Sequence, residues 1–189
     1  MKSVNLRIVL LAVIMVMFSG LLLSNGATLD WKERNPTPTS NNLYDIVYGN
    51  CRFVAVGDMG TLLYSFSGRF WKKSRVDTND HFYSVTYGDY HFTAITSEGA
   101  IYTSFTGRRW TKRSDVAPVG NRIPRKIRYI NSLYIGLGEW GKLWTSTDGL
   151  NWTPRESGSG STLSDVIYGG GLYVIVGLGG TVLTSEDGA

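Results

Sequence analysis

The 189-residue sequence predicts an all-β chain of the β-propeller type, built from four blade-like repeats of about 40 residues. Three observations predict it. Tyr48, Tyr87, Tyr129 and Tyr168 stand 39, 42 and 39 residues apart, and Gly60, Gly99, Gly141 and Gly180 keep the same steps. Short apolar runs alternate with glycine turns in every repeat. No segment after the N-terminal stretch has a helical period.

The N-terminal stretch reads as a signal peptide over residues 1–26. Lys2 and Arg7 precede an apolar run from Ile8 to Leu23, and Ser24 and Gly26 supply small residues at an exit. The alternative is a membrane anchor. The run is short for a span of roughly 20 residues, and Ser19 and Gly20 interrupt it. The expected localisation is therefore exported: secreted, periplasmic or at the cell surface.

Residues 27–189 form the expected repeat domain, with units at about 43–74, 82–113, 125–155 and 163–189. Each unit offers four strand candidates. The second is almost continuously apolar, as in Phe53–Val56 and Tyr173–Val176, which predicts cover on both faces. The third carries paired apolar residues, such as Leu62 with Leu63 and Val182 with Leu183. Trp71, Trp110 and Trp152 open the fourth, and Trp31 opens an isolated copy of it over 31–35. The last unit stops after its third strand. The 31–35 strand is therefore expected to close a four-bladed ring; the alternative is a partial propeller.

Composition agrees. There are 23 Gly, 11 Tyr, 7 Phe and 6 Trp, and only 18% of residues are charged, a profile of many tight turns and a packed core rather than disorder. Beyond the leader stand 17 basic and 15 acidic residues, a net charge of +2, which argues weakly for nucleic acid. The single cysteine, Cys51, leaves no internal disulfide to stabilise an exported chain. It occupies a turn position matched by Tyr90 and, in later units, by residues at or beside Leu133 and Leu172.

The turn Ser146-Thr147-Asp148-Gly149-Leu150-Asn151-Trp152 resembles the Asp-box, or BNR, repeat of sialidase-like propellers. Ser185-Glu186-Asp187-Gly188 is a second, partial match, and Ser67 and Thr106 stand where the other units would place the Asp. The resemblance covers residues 31–189. It implies that Ser146, Asp148, Ser185 and Asp187 bond the turn backbone, that Gly149 and Gly188 take the left-handed position, and that Trp152 packs between sheets. The chain is also similar to Ycf48-like propellers, which implies an assembly-factor role with a protein client. The Asp-box marks a fold element and carries no activity of its own.

The candidate binding residues are Asp58, Glu98, Glu139, Trp140, Arg122 and Arg125. The three carboxylates fall at equivalent loops between second and third strands, so they converge on one rim; Asp and Glu are also ordinary turn residues there. Arg122-Ile123-Pro124 matches a sialidase tripeptide but lacks its surroundings and reads as coincidence. Arg108, Arg109, Lys112, Arg113, Arg122, Arg125, Lys126 and Arg128 lie within 21 residues and form a basic cluster suited to an anionic ligand. Two histidines are too few for a metal site, no nucleophilic triad is present in order, and no cofactor is expected. The expected function is a non-catalytic extracytoplasmic binding or scaffold propeller that recognises an anionic glycan, a wall polymer or a protein. The alternatives are an assembly factor of the Ycf48-like type and a glycoside hydrolase or its remnant. Self-association is expected if the ring is incomplete.

Overall fold

The computed structural model describes residues 31–33, 38–119 and 122–188. The chain divides into two compact units, residues 1–33 and 34–189. The expected leader lies outside the described residues. Of the expected closing strand, residues 31–33 carry no strand and residues 34–35 lie outside the described residues.

The second unit is a β-propeller arrangement of four antiparallel sheets, each a blade. Blade 1 holds β1 (Leu43–Gly49), β2 (Arg52–Gly57), β3 (Leu62–Ser65) and β4 (Lys72–Lys73). Blade 2 holds β5 (Phe82–Gly88), β6 (His91–Thr96), β7 (Ala100–Ser104) and β8 (Thr111–Asp115). Blade 3 holds β9 (Lys126–Ile130), β10 (Leu133–Leu137), β11 (Lys142–Ser146) and β12 (Thr153–Glu156). Blade 4 holds β13 (Leu163–Gly169), β14 (Leu172–Gly177) and β15 (Val182–Ser185), with no fourth strand among the described residues. First strands pack blade to blade, β1 on β5, β5 on β9 and β9 on β13.

Turn chemistry explains the register. The turns joining first and second strands have two residues, Asn50-Cys51, Asp89-Tyr90, Asn131-Ser132 and Gly170-Gly171, and all eight have positive φ. This is the hairpin turn whose twist matches the flanking strands, and Asn, Asp and Gly tolerate it best. The counterparts of Cys51 are thus Tyr90, Ser132 and Gly171, one residue before the leucines the sequence suggested. Three of the four turns that follow third strands are tied by serine; in blade 2 the buried Ser104 hydroxyl has no partner among the described residues. Ser65, Ser146 and Ser185 hydroxyls each accept the N–H of the glycine three residues on, at 2.9 Å. Asp148 also accepts the N–H groups of Leu150 and Asn151, both at 2.8 Å. Burial works to raise the Asp148 pKa, but these bonds outweigh it and hold the carboxyl well below its usual range. Ser67 and Thr106 manage one longer bond each, at 3.2 and 3.4 Å.

The core consists of the interfaces between blades. Val47, Val54, Val56, Leu62 and Tyr64 of blade 1 meet Val85, Tyr87, Phe92, Ala94 and Tyr102 of blade 2. Ile135, Leu137 and Leu143 of blade 3 meet Val166, Tyr173 and Ile175 of blade 4. The expected two-sided cover of second strands is present at β2, β6 and β10. It fails at β14, where burial alternates: among the described residues only the blade 3 side of that sheet has a blade against it, whereas β2, also with one neighbouring blade, is covered on its other face as well.

Candidate functional site

The loops between second and third strands lie on the rim where the first strands begin, so this rim gathers most of the residues expected to bind. Asp58 accepts the Tyr44 hydroxyl at 2.6 Å, the Asn42 amide at 2.8 Å and His81 Nδ1 at 2.8 Å. The bond from Tyr44 is the main reason its pKa is lowered, and the same bond raises that of Tyr44. Tyr44 stands edge-on to Tyr83, with ring centres 6.1 Å apart. Arg125 lies over the Tyr83 ring at 5.1 Å and its Nε donates to Glu139 at 2.8 Å. Arg122 covers Trp140 at 5.1 Å. Trp140 is exposed and held with positive φ in a single 3-10 turn, Glu139–Gly141. Glu98 stands apart; among the described residues its carboxylate meets the Ser97 hydroxyl at 3.4 Å.

Of the three loop carboxylates, Asp58 is held below its usual pKa by the Tyr44 hydroxyl and Glu139 is paired with a guanidinium. Among the described residues no three of His, Cys, Asp and Glu gather as metal ligands.

One residue further along the first strands lies a charged network. Asp45, nearly buried, accepts Lys126 Nζ at 2.9 Å, Ser84 Oγ at 2.6 Å, the Val85 N–H at 3.1 Å and Arg128 Nη1 at 3.4 Å. Arg128 also holds Asp165, Nε to Oδ1 at 3.0 Å and Nη2 to Oδ2 at 3.3 Å. One network thus links all four blades. Sequence reasoning missed Asp45 and Asp165. The available signal was a polar residue at the same offset in every first strand: Asp45, Ser84, Lys126 and Asp165, three residues before each repeated tyrosine.

The structure breaks up the basic cluster read from the sequence. Lys126 and Arg128 enter this network, Arg125 pairs with Glu139, and Lys112 pairs with Asp115 at 2.9 Å, which raises its pKa. Arg108 and Arg109 join Lys72, Lys73 and Arg75 instead. These five cations, with Tyr64 and Thr106, line a cleft of about 440 Å³ between the outer strands of blades 1 and 2; no acid among the described residues lines it, and Asp77 lines the adjoining cleft with Arg75 and Arg109. Backbone bonds fix the cleft. The Arg75 N–H donates to Arg108 O at 2.8 Å, the Trp110 N–H donates to Arg75 O at 2.9 Å, and the Ser74 hydroxyl bonds Gly107 O at 2.5 Å. Arg75 and Arg109 face each other across a parallel bridge. Like charges so placed repel one another. Lys72, Lys73 and Arg75 escaped the sequence reading because they lie one whole repeat from the arginines they join.

No family model matches the chain, and no curated protein matches it. Solved structures do. A YCF48 bound to D1 peptide superposes with a TM-score of 0.66 at 19% identity, covering 85% of this chain and 57% of the other. YCF48 from Cyanidioschyzon merolae gives 0.62 at 18%, covering 82% and 57%. Virginiamycin B lyase from Staphylococcus aureus gives 0.62 at 10%, covering 80% and 58%. The chain spans just over half the length of these structures. At such identities the likeness is one of fold, and this fold carries both a peptide binder and a lyase.

Proposed function

We propose that this chain is a non-catalytic binding propeller that holds an acidic segment of a protein partner in the cleft between blades 1 and 2. The observation behind this is five cations on a rigid, backbone-tied frame, with no acid among the described residues lining the cleft. An anionic ligand relieves the repulsion between Arg75 and Arg109, and an extended acidic chain reaches all five charges. The peptide-bound YCF48 among the structural neighbours supports a polypeptide over a glycan. The leader residues support a place outside the cytoplasm, and the serine-aspartate turn at Ser146–Trp152 supports kinship with Asp-box propellers.

The test is fluorescence anisotropy with a labelled oligo-glutamate peptide, alongside a sulfated oligosaccharide of equal charge. The peptide is expected to bind, to weaken as salt rises, and to lose about tenfold in affinity, equal to 1.4 kcal/mol, in a Lys73→Glu/Arg109→Glu variant. Equal binding by the variant sinks the reading, and a clear preference for the sulfated sugar moves it to glycans.

The rim supports a second reading. Tyr44, Tyr83 and Trp140 with Arg122 and Arg125 offer stacking faces beside guanidinium groups. Trp140→Ala separates the two readings. It leaves oligo-glutamate binding unchanged if the cleft is the site and reduces it if the rim is.

A further inference from the structure

The two ends of the blade series carry complementary unfilled halves of one repeated interface. Inside the chain, blades 2 and 3 each place a first-strand tyrosine on a glycine of the preceding blade; at the third interface the seat position is Ile130, which packs with Tyr168 against the same core. Tyr87 of blade 2 lies on Gly49 of blade 1 so closely that any side chain there would enter the ring, and Tyr129 of blade 3 lies on Gly88 of blade 2 in the same way. Two elements of this contact are left over. Tyr48, the equivalent knob on blade 1, is 59% exposed. Gly169, the equivalent seat on blade 4, has nothing within 4 Å of where a side chain would start.

The surrounding faces match as well. Blade 1 receives blade 2 on Val47, Val54, Val56, Leu62 and Tyr64. The blade 4 residues 120 positions later are Ile167, Val174, Val176, Val182 and Thr184, and Ile167, Val176 and Val182 are exposed. Blade 2 docks through Val85, Tyr87, Phe92, Ala94 and Tyr102. The blade 1 residues at the same places are Ile46, Tyr48, Phe53, Ala55 and Leu63; Ile46 and Tyr48 are exposed, Phe53 is half-buried, and Ala55 and Leu63 are already covered within the chain, so the open part of this face is its first strand. The linkers agree too. A side chain at Gly60 or Gly141 would strike the carbonyl of Thr78 or Ser159, four residues before the next blade, while Gly180 faces open space. The residue four before blade 1 is Thr39.

We propose that two copies of this chain associate head to tail. Blade 4 of each copy receives blade 1 of the other, with Tyr48 seated on Gly169. Two such contacts close a ring and cover Ile46 and Tyr48 of one copy with Ile167, Val176 and Val182 of the other. The interface continues one that the chain already makes between its own blades, so its shape and chemistry are tested within the fold. This surface is separate from the cation cleft, so the peptide-binding reading stands or falls independently of it.

The test is the mass of the full chain by light scattering across a concentration series, with Gly169→Arg as the partner experiment. Gly169 has ordinary backbone and free space around it, so the substitution leaves each copy folded. A two-copy species is expected, weakened more than about tenfold by Gly169→Arg and similarly by Tyr48→Ala. In a Cys51→Ser background, a Tyr48→Cys chain mixed with a Gly169→Cys chain is expected to form a disulfide-linked pair on oxidation, and neither chain alone does so. A one-copy mass at every concentration overturns the proposal. So does a two-copy mass that survives Gly169→Arg, which points to association through the apolar leader. Species that grow steadily with concentration overturn the closed pair.

Discussion

Strands β2 and β14 have nearly the same sequence pattern and opposite surroundings. Val56 is fully buried and its counterpart Val176 is 46% exposed; Leu62 on β3 is fully buried and its counterpart Val182 on β15 is 63% exposed. Nothing in the strands themselves causes this. Blade 1 has blade 2 against that face, while among the described residues no blade packs on the same face of blade 4. Apolar pattern states which face needs cover, and the neighbouring blade decides whether cover is present.

The largest effect that sharpens this comparison is a matched pair of truncations. Leu62→Ala opens a cavity in the blade 1–blade 2 interface and is expected to destabilise by about 3 kcal/mol. Val182→Ala removes methyl groups already in water and is expected to cost under about 0.5 kcal/mol in the dilute single chain. Urea unfolding followed by tryptophan fluorescence measures both. Equal losses would mean that blade 4 is covered in solution, and a Val182→Ala loss that appears only at high concentration would implicate a second copy.

The charged network repeats the contrast with polar groups. Asp45 and Asp165 occupy equivalent positions, yet their side chains are 6% and 49% exposed. Removing Asp45 leaves Lys126 and Arg128 without their shared partner in a nearly buried site, and Asp45→Ala is expected to cost about 2–3 kcal/mol. Asp165→Ala removes a pair that water already screens, and under about 1 kcal/mol is expected. The Asp45→Asn variant separates charge from shape. It keeps an acceptor for Ser84 and Val85, so most of its loss comes from the two cations.

The fold was legible because it repeats. Tyr87 and Tyr129 recur at fixed offsets from Tyr48, and their seats, Gly49 and Gly88, recur beside them. Asp58, Glu98 and Glu139 were also legible as rim residues, since equivalent loops must share a face; Arg122, Arg125 and Trp140 were singled out on other grounds, and the structure brings Arg122 to Trp140 and Arg125 to Glu139. The cation cleft was not. Lys73 and Arg109 are 36 residues apart, and only the outer-strand bridge between blades brings them together. Linear charge density instead picked out Lys126 and Arg128, which face inward to Asp45 and Asp165. A run of charge along the chain does not tell which strands face which way.

The smallest effect concerns the turns into the fourth strands, where blades 1 and 3 differ at four of seven positions, Ser67 against Asp148 among them. Asp148 takes two backbone N–H bonds at 2.8 Å, and Ser67 takes one at 3.2 Å. Asp148→Ala is therefore expected to cost about 1 kcal/mol and Ser67→Ala less than half of that. The pH dependence has a definite sign. The Asp148 carboxyl is held below its usual range in the folded chain, and in the unfolded chain it titrates near 3.9. Its contribution is thus fully present above about pH 4 and lost as pH falls through the folded value. The stability gap between the native chain and Asp148→Ala is expected to shrink between pH 6 and pH 3, whereas the small gap for Ser67→Ala stays constant, because a hydroxyl carries no charge to lose. A gap at Asp148 that holds steady down to pH 3 would assign the difference between the two turns to shape rather than to the charge on the acceptor.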